Sequence, residues 1–185
     1  MSLFPHHQWT QRLQDPTDKS RENDYLVSTD TSLLSIAALD EVFRQEYIYW
    51  AKPMPAEHMQ RMINTSMCFG LYIQTEDNHG ADAEKSKLPP LIGFGRLVTD
   101  TVTFAYLTDL YVLPEYQGTG LGTWMLKCMD EVLTGWPHLR RMVLFTTSER
   151  SRAYYERVIG AEVIGSSAGQ FIMGKRGAGS VFSAT

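Results

Sequence analysis

The run Asp109-Leu110-Tyr111-Val112-Leu113-Pro114-Glu115-Tyr116-Gln117-Gly118-Thr119-Gly120-Leu121-Gly122-Thr123 decides how this chain reads. An apolar strand ends at Pro114, and a short loop carries glycines at 118, 120 and 122. Next comes the clearest helical stripe in the sequence: Leu121, Trp124, Met125, Cys128, Met129, Val132 and Leu133, spaced by threes and fours on one face. Glycines let backbone N–H groups approach a ligand closely. A helix start adds unpaired N–H donors and the positive end of the helix dipole. Together they suit an anion such as a pyrophosphate; the competing reading is a glycine trio that serves only a tight turn. A dinucleotide fingerprint, G-x-G-x-x-G, fails in register because its third glycine falls on Thr123. A P-loop needs Gly-Lys-Ser/Thr, and no lysine stands at 121–123. The pattern present is Q-x-x-G-x-G on Gln117, Gly120 and Gly122.

Working outward, the helix spans about 120–134 and stops at Gly135-Trp136-Pro137. Before the motif, residues 91–98 and 102–112 read as two strands of a hairpin with a turn near Asp100. After it come a buried strand over 142–146, a helix capped by Ser148 and closed by Gly160, and short strands over 162–164 and 170–175. Upstream, 25–28 is a short strand. Asp30 or Thr31 caps a helix over about 32–48, striped by Ile36, Leu39, Phe43 and Tyr47. A second helix begins near Pro55, and 69–74 is a strand. Residues 76–90 are rich in Asp, Lys, Gly and Pro and read as a surface loop with a tendency to disorder. The succession is mixed α/β, an antiparallel hairpin beside a strand-helix-strand crossover.

The chain has 185 residues, enough for one domain with a core that needs no staples. Apolar residues make up 43% and charged residues 21%, the composition of a globular protein rather than a disordered, collagen-like or disulfide-framework chain. A net charge of −4 without a long Lys/Arg run argues against a general nucleic-acid binder. Cys68 and Cys128 lie too far apart for a metal motif. One disulfide stays open, but two reduced, buried thiols are the simpler expectation. No apolar run approaches the ~18 residues that span a membrane, and residues 1–16 lack the apolar core of a secretory signal. The expectation is a cytoplasmic protein with no metal, no membrane contact and no nucleic-acid partner.

The string Q-x-x-G-x-G, following V-x-P-E, resembles the GNAT superfamily of N-acetyltransferases, and the wider element pattern matches over residues 24 to 175. The resemblance implies a single-domain fold: a central twisted mixed sheet of about six to seven strands flanked by about four helices. Its expected bounds are a loosely ordered arm over 1–22, the domain over 23–176 and a tail over 177–185. It implies that Gln117, Gly118, Thr119, Gly120, Leu121, Gly122 and Thr123 hold the pyrophosphate of acetyl-CoA. The backbone of Leu110, Tyr111 and Val112 then runs along the pantetheine, with one N–H as oxyanion donor. Ser151-Arg152-Ala153-Tyr154-Tyr155-Glu156 through Ala161 resembles the family's A-x-x-x-Y-E-K-x-G-F segment. That makes Tyr155 the candidate general acid beside the thioester sulfur. The family's pantetheine-touching Asn corresponds to Ser148, whose hydroxyl has a shorter reach; Ser148 and Ser151 are the cofactor-side candidates here. Ala161 replaces the usual aromatic.

Acyl transfer to an amine needs the amine deprotonated, the carbonyl oxygen stabilised, the reactants aligned and the thiolate received. Asp109 is the lone carboxylate between Asp100 and Glu115. It is the candidate proton acceptor, directly or through water, against the reading of a structural carboxylate. Strict alternation places it on one face with Leu107 and Tyr111. The string from Tyr106 resembles polyamine-type members that read Y-L-E-D-F-F-V, with Thr108 where they carry Glu; Glu115 reads as shaping the loop. Tyr47, Tyr49 and Trp50, with Phe104 and Tyr106, are the substrate-side candidates. They suit an apolar or aromatic amine, or a cation over aromatic faces, unless they are ordinary core residues. Cys68 reads as core. The expected activity is acetyl transfer from acetyl-CoA to a small-molecule primary amine without an acyl-enzyme. A protein or peptide acceptor and a non-catalytic acyl-CoA-binding module are the alternatives. Dimers are frequent in the family, which leaves a homodimer open.

Overall fold

The computed structural model describes residues 4–16, 20–74 and 88–181. Among them are eight strands in the order β1-β2-β3-β4-β5-β6-β8-β7 and four α-helices. The sheet is mixed, with two strands at most beyond the sequence expectation, and the polypeptide falls into two compact units. One comprises Met1–Arg96 with Asp109–Gly122, the other Leu97–Thr108 with Thr123–Thr185. The chain passes between them inside β4 (Leu91–Thr99), inside β5 (Phe104–Val112) and at the first turn of α3 (Leu121–Thr134).

In the first unit, β1 (Gln8–Gln14), β2 (Glu22–Ser28) and β3 (Met67–Gln74) form an antiparallel run, with Trp9 opposite Val27 and Leu26 opposite Tyr72. β1 lies inside the stretch expected as a loose arm. Its seven residues are paired along β2, and Trp9 stacks on Phe69 with ring centroids 6.2 Å apart. Backbone pairing and one buried aromatic contact order a segment whose polar composition looked unstructured. The expected helix over 32–48 is two pieces. A 3-10 turn at Thr31–Leu33 is capped by Asp30, and α1 (Ile36–Phe43) starts anew because Ser35 accepts the Ala38 N–H. Tyr47, expected on the helix stripe, lies beyond its end. α2 (Ala56–Asn64) follows Pro55, which stands at the N-cap rather than inside the helix. α1 and α2 bury Leu39, Val42, Phe43, Met59 and Ile63 against Leu26, Cys68, Tyr72, Phe94 and Tyr111. Of the expected loop over 76–90, residues 75–87 lie outside the described residues.

In the second unit, β6 (Arg141–Thr146) runs parallel to β5 with Phe104 opposite Arg141 and Leu107 opposite Leu144. The connection passes through α3, as a parallel crossover requires. β8 (Gln170–Arg176) is antiparallel both to β6 and to β7 (Glu162–Ser167). α3 buries Leu121, Met125, Cys128, Met129, Val132 and Leu133, while Trp124 is only half-buried. α4 (Glu149–Ile159) starts at Ser148 and ends at Gly160, whose φ of 66° is the left-handed turn that releases the chain from the helix. The first residues of the expected tail are tied down: the Gly177 N–H donates to Arg140 O and the Gly179 N–H to Leu139 O.

Candidate active site

The first unit carries the motif loop and the middle of the sequence-predicted site. After β5, Pro114–Tyr116 makes one 3-10 turn, and two side chains then hold the loop from within. The Gln117 side-chain amide donates to Val112 O at 2.8 Å, and the Thr119 hydroxyl donates to Tyr116 O at 2.7 Å. Gln117, placed by its motif on the cofactor, therefore spends its side chain on the strand end. Gly118 and Gly120 have φ of 78° and 89°, and nothing lies within 4 Å of where a Cβ would stand on either. Left-handed residues alternating along a loop turn successive N–H groups toward one concavity, the geometry of an anion nest. With Leu121 and Gly122 opening α3, backbone donors accumulate there without a basic side chain. Both features fit a pyrophosphate.

Asp109 departs from the expected alternation. Its φ is 54° in the interior of β5, so the period-two pattern is interrupted there. Its carboxylate accepts from Arg96 Nε at 2.5 Å, and Arg96 Nη1 donates to Ser66 Oγ at 3.1 Å. The ion pair is largely removed from solvent, with side-chain exposures of 18% for Arg96 and 10% for Asp109. Cys68 lies in the same field. Burial, the dominant cause, pushes its thiol up to about 12, with Arg96 opposing and Asp109 adding. Such a thiol supplies almost no thiolate at neutral pH, as a core cysteine should.

Tyr111, next but one along β5, packs on Phe94 at 6.2 Å between ring centroids. Its hydroxyl is buried and has no hydrogen-bond partner among the described residues. Burial raises its pKa, and the charges of Tyr47 and Asp109 add to the rise. The pKa of Tyr47 is itself raised, first by burial and then by the charge of Glu115, so the segment after α1 lies within electrostatic reach of the motif loop. Tyr49 and Trp50 meet edge to face at 5.0 Å and are 67% and 43% exposed. They are a surface pair, not core. The first unit thus gathers Tyr47, Asp109, Tyr111 and Glu115, with Leu110 and Val112 along the same strand.

The second unit holds the remaining candidates. Ser148 accepts the Ser151 N–H at 3.0 Å and bonds the Ser151 hydroxyl at 2.8 Å, so both serines are engaged in capping α4. Tyr155 is half-buried, edge to face with Tyr154 at 5.4 Å. Tyr154 is hydrogen-bonded to Thr123 on the first turn of α3, with Arg157 over its ring at 5.9 Å. Phe104 and Tyr106 stand on the sheet face of Val143 and Phe145, and Tyr106 meets Phe145 edge to face at 5.7 Å. Sequence reasoning missed Arg96, Ser66 and Tyr154. Arg96 had a visible signal, the single charge in the apolar run 91–98, whereas Ser66 and Tyr154 had none.

This chain belongs to the acetyltransferase (GNAT) family, whose model matches residues 36–161. A Gibberella zeae protein, FG08082, assigned by name to the acetyltransferases, is 44% identical over 130 residues, covering 68% of this chain and 73% of its own length. A solved structure from Xanthomonas campestris pv. campestris, assigned to the same family, is 32% identical with a TM-score of 0.54, covering 72% of this chain and 82% of that one. Arabidopsis thaliana NAA60, solved in complex with acetyl-CoA, shares the fold at a TM-score of 0.56 over 92% of this chain and 99% of that one, with 14% identity. The protein is an acetyltransferase of mixed α/β fold. Among the described residues no helix is long and apolar enough to cross a membrane.

Proposed function

We propose that the chain transfers the acetyl group of acetyl-CoA directly to the primary amine of a small molecule. The observation that carries the donor assignment is the loop of Gly118 and Gly120, left-handed at both positions and leading into α3. Gly118, Thr119, Gly120, Leu121, Gly122 and Thr123 would hold the pyrophosphate through backbone N–H groups and the helix start. Leu110, Tyr111 and Val112 would run beside the pantetheine, and Ser148 and Ser151 would act through the α4 start they cap. When bound, acetyl-CoA supplies an activated thioester carbonyl.

The acceptor amine attacks the carbonyl carbon, the C–N bond forms, and the C–S bond breaks with its electron pair leaving on sulfur. Tyr155 donates a hydrogen bond to that thiolate. Proton transfer from a phenol near pKa ~10 to a thiolate whose thiol titrates near ~8.5 is mildly uphill, so hydrogen bonding comes first and transfer is late. The amine proton passes to water, since the Asp109 carboxylate is engaged by Arg96. An N–H of β5 stabilises the developing oxyanion. Tyr47, Tyr49 and Trp50 with Glu115 favour a small amine bearing an apolar or cationic portion, because aromatic faces and a carboxylate attract a cation. Phe104 and Tyr106 are proposed as further acceptor contacts.

The test is release of free thiol from acetyl-CoA with single amines added in turn: polyamines, arylalkylamines, amino acids, aminoglycosides and short peptides. Release dependent on a small amine supports the reading. Release dependent on peptides alone replaces the acceptor class. Binding of CoA without release for any amine leaves a non-catalytic acyl-CoA-binding module.

A further inference from the structure

We propose that Arg96, bonded to Ser66 and Asp109, is a positioning residue: it clamps Asp109 in its left-handed conformation and thereby sets the course of β5 through Leu110–Val112 into the glycine loop. Asp109 then serves as the anchored end of that clamp rather than as the proton acceptor. The inference rests on the reading that this strand and loop receive acetyl-CoA.

Five observations converge on it. Asp109 has φ of 54°, a conformation that L-residues avoid and that aspartate tolerates better than most. It stands inside a strand, where extended backbone is the rule, so this conformation persists only if its surroundings hold it. The imposing contact comes from the neighbouring strand: Arg96 Nε reaches the carboxylate at 2.5 Å and Nη1 reaches Ser66 Oγ at 3.1 Å. Ser66 itself is buried and immediately precedes β3, so the guanidinium is held at two points on different segments of the chain. The parallel ladder of β5 with β6 covers only Phe104–Leu107, two residues short of Asp109. Beyond it β5 keeps only β4 as its neighbour in the sheet order, with the Leu113 N–H donating to Ile92 O at 2.9 Å, and the Arg96–Asp109 contact adds a side-chain tie to that same strand. A carboxylate this buried needs its cation, and a guanidinium on two partners is geometrically fixed.

The clamp can be separated from a catalytic base because glycine adopts positive φ without help. The experiment compares Arg96→Met, Asp109→Gly, the double variant Arg96→Met/Asp109→Gly, and Asp109→Asn with the wild-type protein. Affinity for CoA, hydrogen exchange of the Leu110–Val112 amides in the ligand-free protein and the pH profile of kcat are measured. Arg96→Met should weaken CoA binding about tenfold and speed exchange of those amides, because it removes the guanidinium that holds a largely buried carboxylate. The double variant should recover most of both, since the buried carboxylate that needed its cation is gone and glycine adopts the turn unaided. Asp109→Asn should lower kcat less than about tenfold and keep the shape of the pH profile, whereas losing a general base costs about 10²–10⁴. The proposal is overturned if the double variant exchanges as fast as Arg96→Met, or if Asp109→Asn loses about a hundredfold or more in kcat together with the acid limb of the profile. Should the wild-type protein fail to bind CoA, the donor reading falls, and exchange in the free variants still decides the clamp. If Arg96→Met does not fold, Arg96→Lys, which keeps charge but cannot bridge both partners, takes its place with the same expected direction.

Discussion

Arg96 and Asp109 meet Nε to Oδ2 across β4 and β5, at the one residue of β5 whose backbone is left-handed. The passage of the chain between its two compact units falls at the same residues, after Arg96 in β4 and before Asp109 in β5. A buried ion pair is weak evidence for stability, because desolvation offsets much of the attraction. Its value here lies in fixing a backbone that would otherwise relax.

Loss of backbone freedom at the motif loop should separate binding from folding. Gly120→Ala meets no atom within 4 Å, so its cost is conformational, about 1–2 kcal/mol for a left-handed residue. Gly160→Ala carries a similar cost at the end of α4. Calorimetric titration with CoA should show weaker binding for Gly120→Ala and near wild-type binding for Gly160→Ala, with thermal unfolding lowered in both. Equal loss of affinity in the two variants would contradict the loop assignment.

Tyr155→Phe should lower kcat by about 10- to 100-fold with little change in CoA affinity, the signature of an interaction gained as the thiolate forms. Single-turnover rates and equilibrium binding make the comparison. Turnover equal to wild type would remove the acid assignment.

Both cysteines should resist modification in the native protein. Cys68 and Cys128 are each pushed up to about 12, first by burial. An unfolded thiol titrates near ~8.5. The folded state therefore keeps protons that the unfolded state loses. The associated stability is complete below pH ~8.5 and is lost as pH rises through about 12. A disulfide-exchange dye at pH 8 should titrate both thiols only after denaturant is added. Rapid labelling of Cys68 in the native protein would show that its site opens to solvent.

The Tyr72 side chain lies over Gly70 so closely that a Cβ there would overlap its hydroxyl. Gly70→Ala should cost about 1–3 kcal/mol through forced repacking. Tyr72→Phe should be neutral or stabilising, because the buried Tyr72 hydroxyl has no partner among the described residues. Urea midpoints at constant m-value measure both. A marked destabilisation by Tyr72→Phe would mean that the hydroxyl is bonded in solution.

Local patterns were legible wherever one element's own residues settle it. The stripe from Leu121 to Leu133, the Ser148 cap and the Gly160 terminator all stand where their sequence placed them, because capping and amphipathic spacing act over a few residues. The helix over 32–48 was misread because Ser35 outcompetes the continuing apolar spacing, a contest that the stripe alone does not reveal. β1 was missed because its polar residues are ordered by a partner strand.

What the sequence by itself determined is the class of the protein and the place of its loop. Glycine spacing at the entrance of an amphipathic helix is a local code, written in the backbone conformations that neighbouring residues allow. Only the tertiary structure decided that Asp109 is bonded to Arg96, that β5 turns left-handed there, that the charge of Glu115 acts on Tyr47, and that Tyr154 reaches Thr123. These depend on long-range contacts between side chains far apart in the chain, whose geometry is set when the core closes and not by the spacing of neighbours.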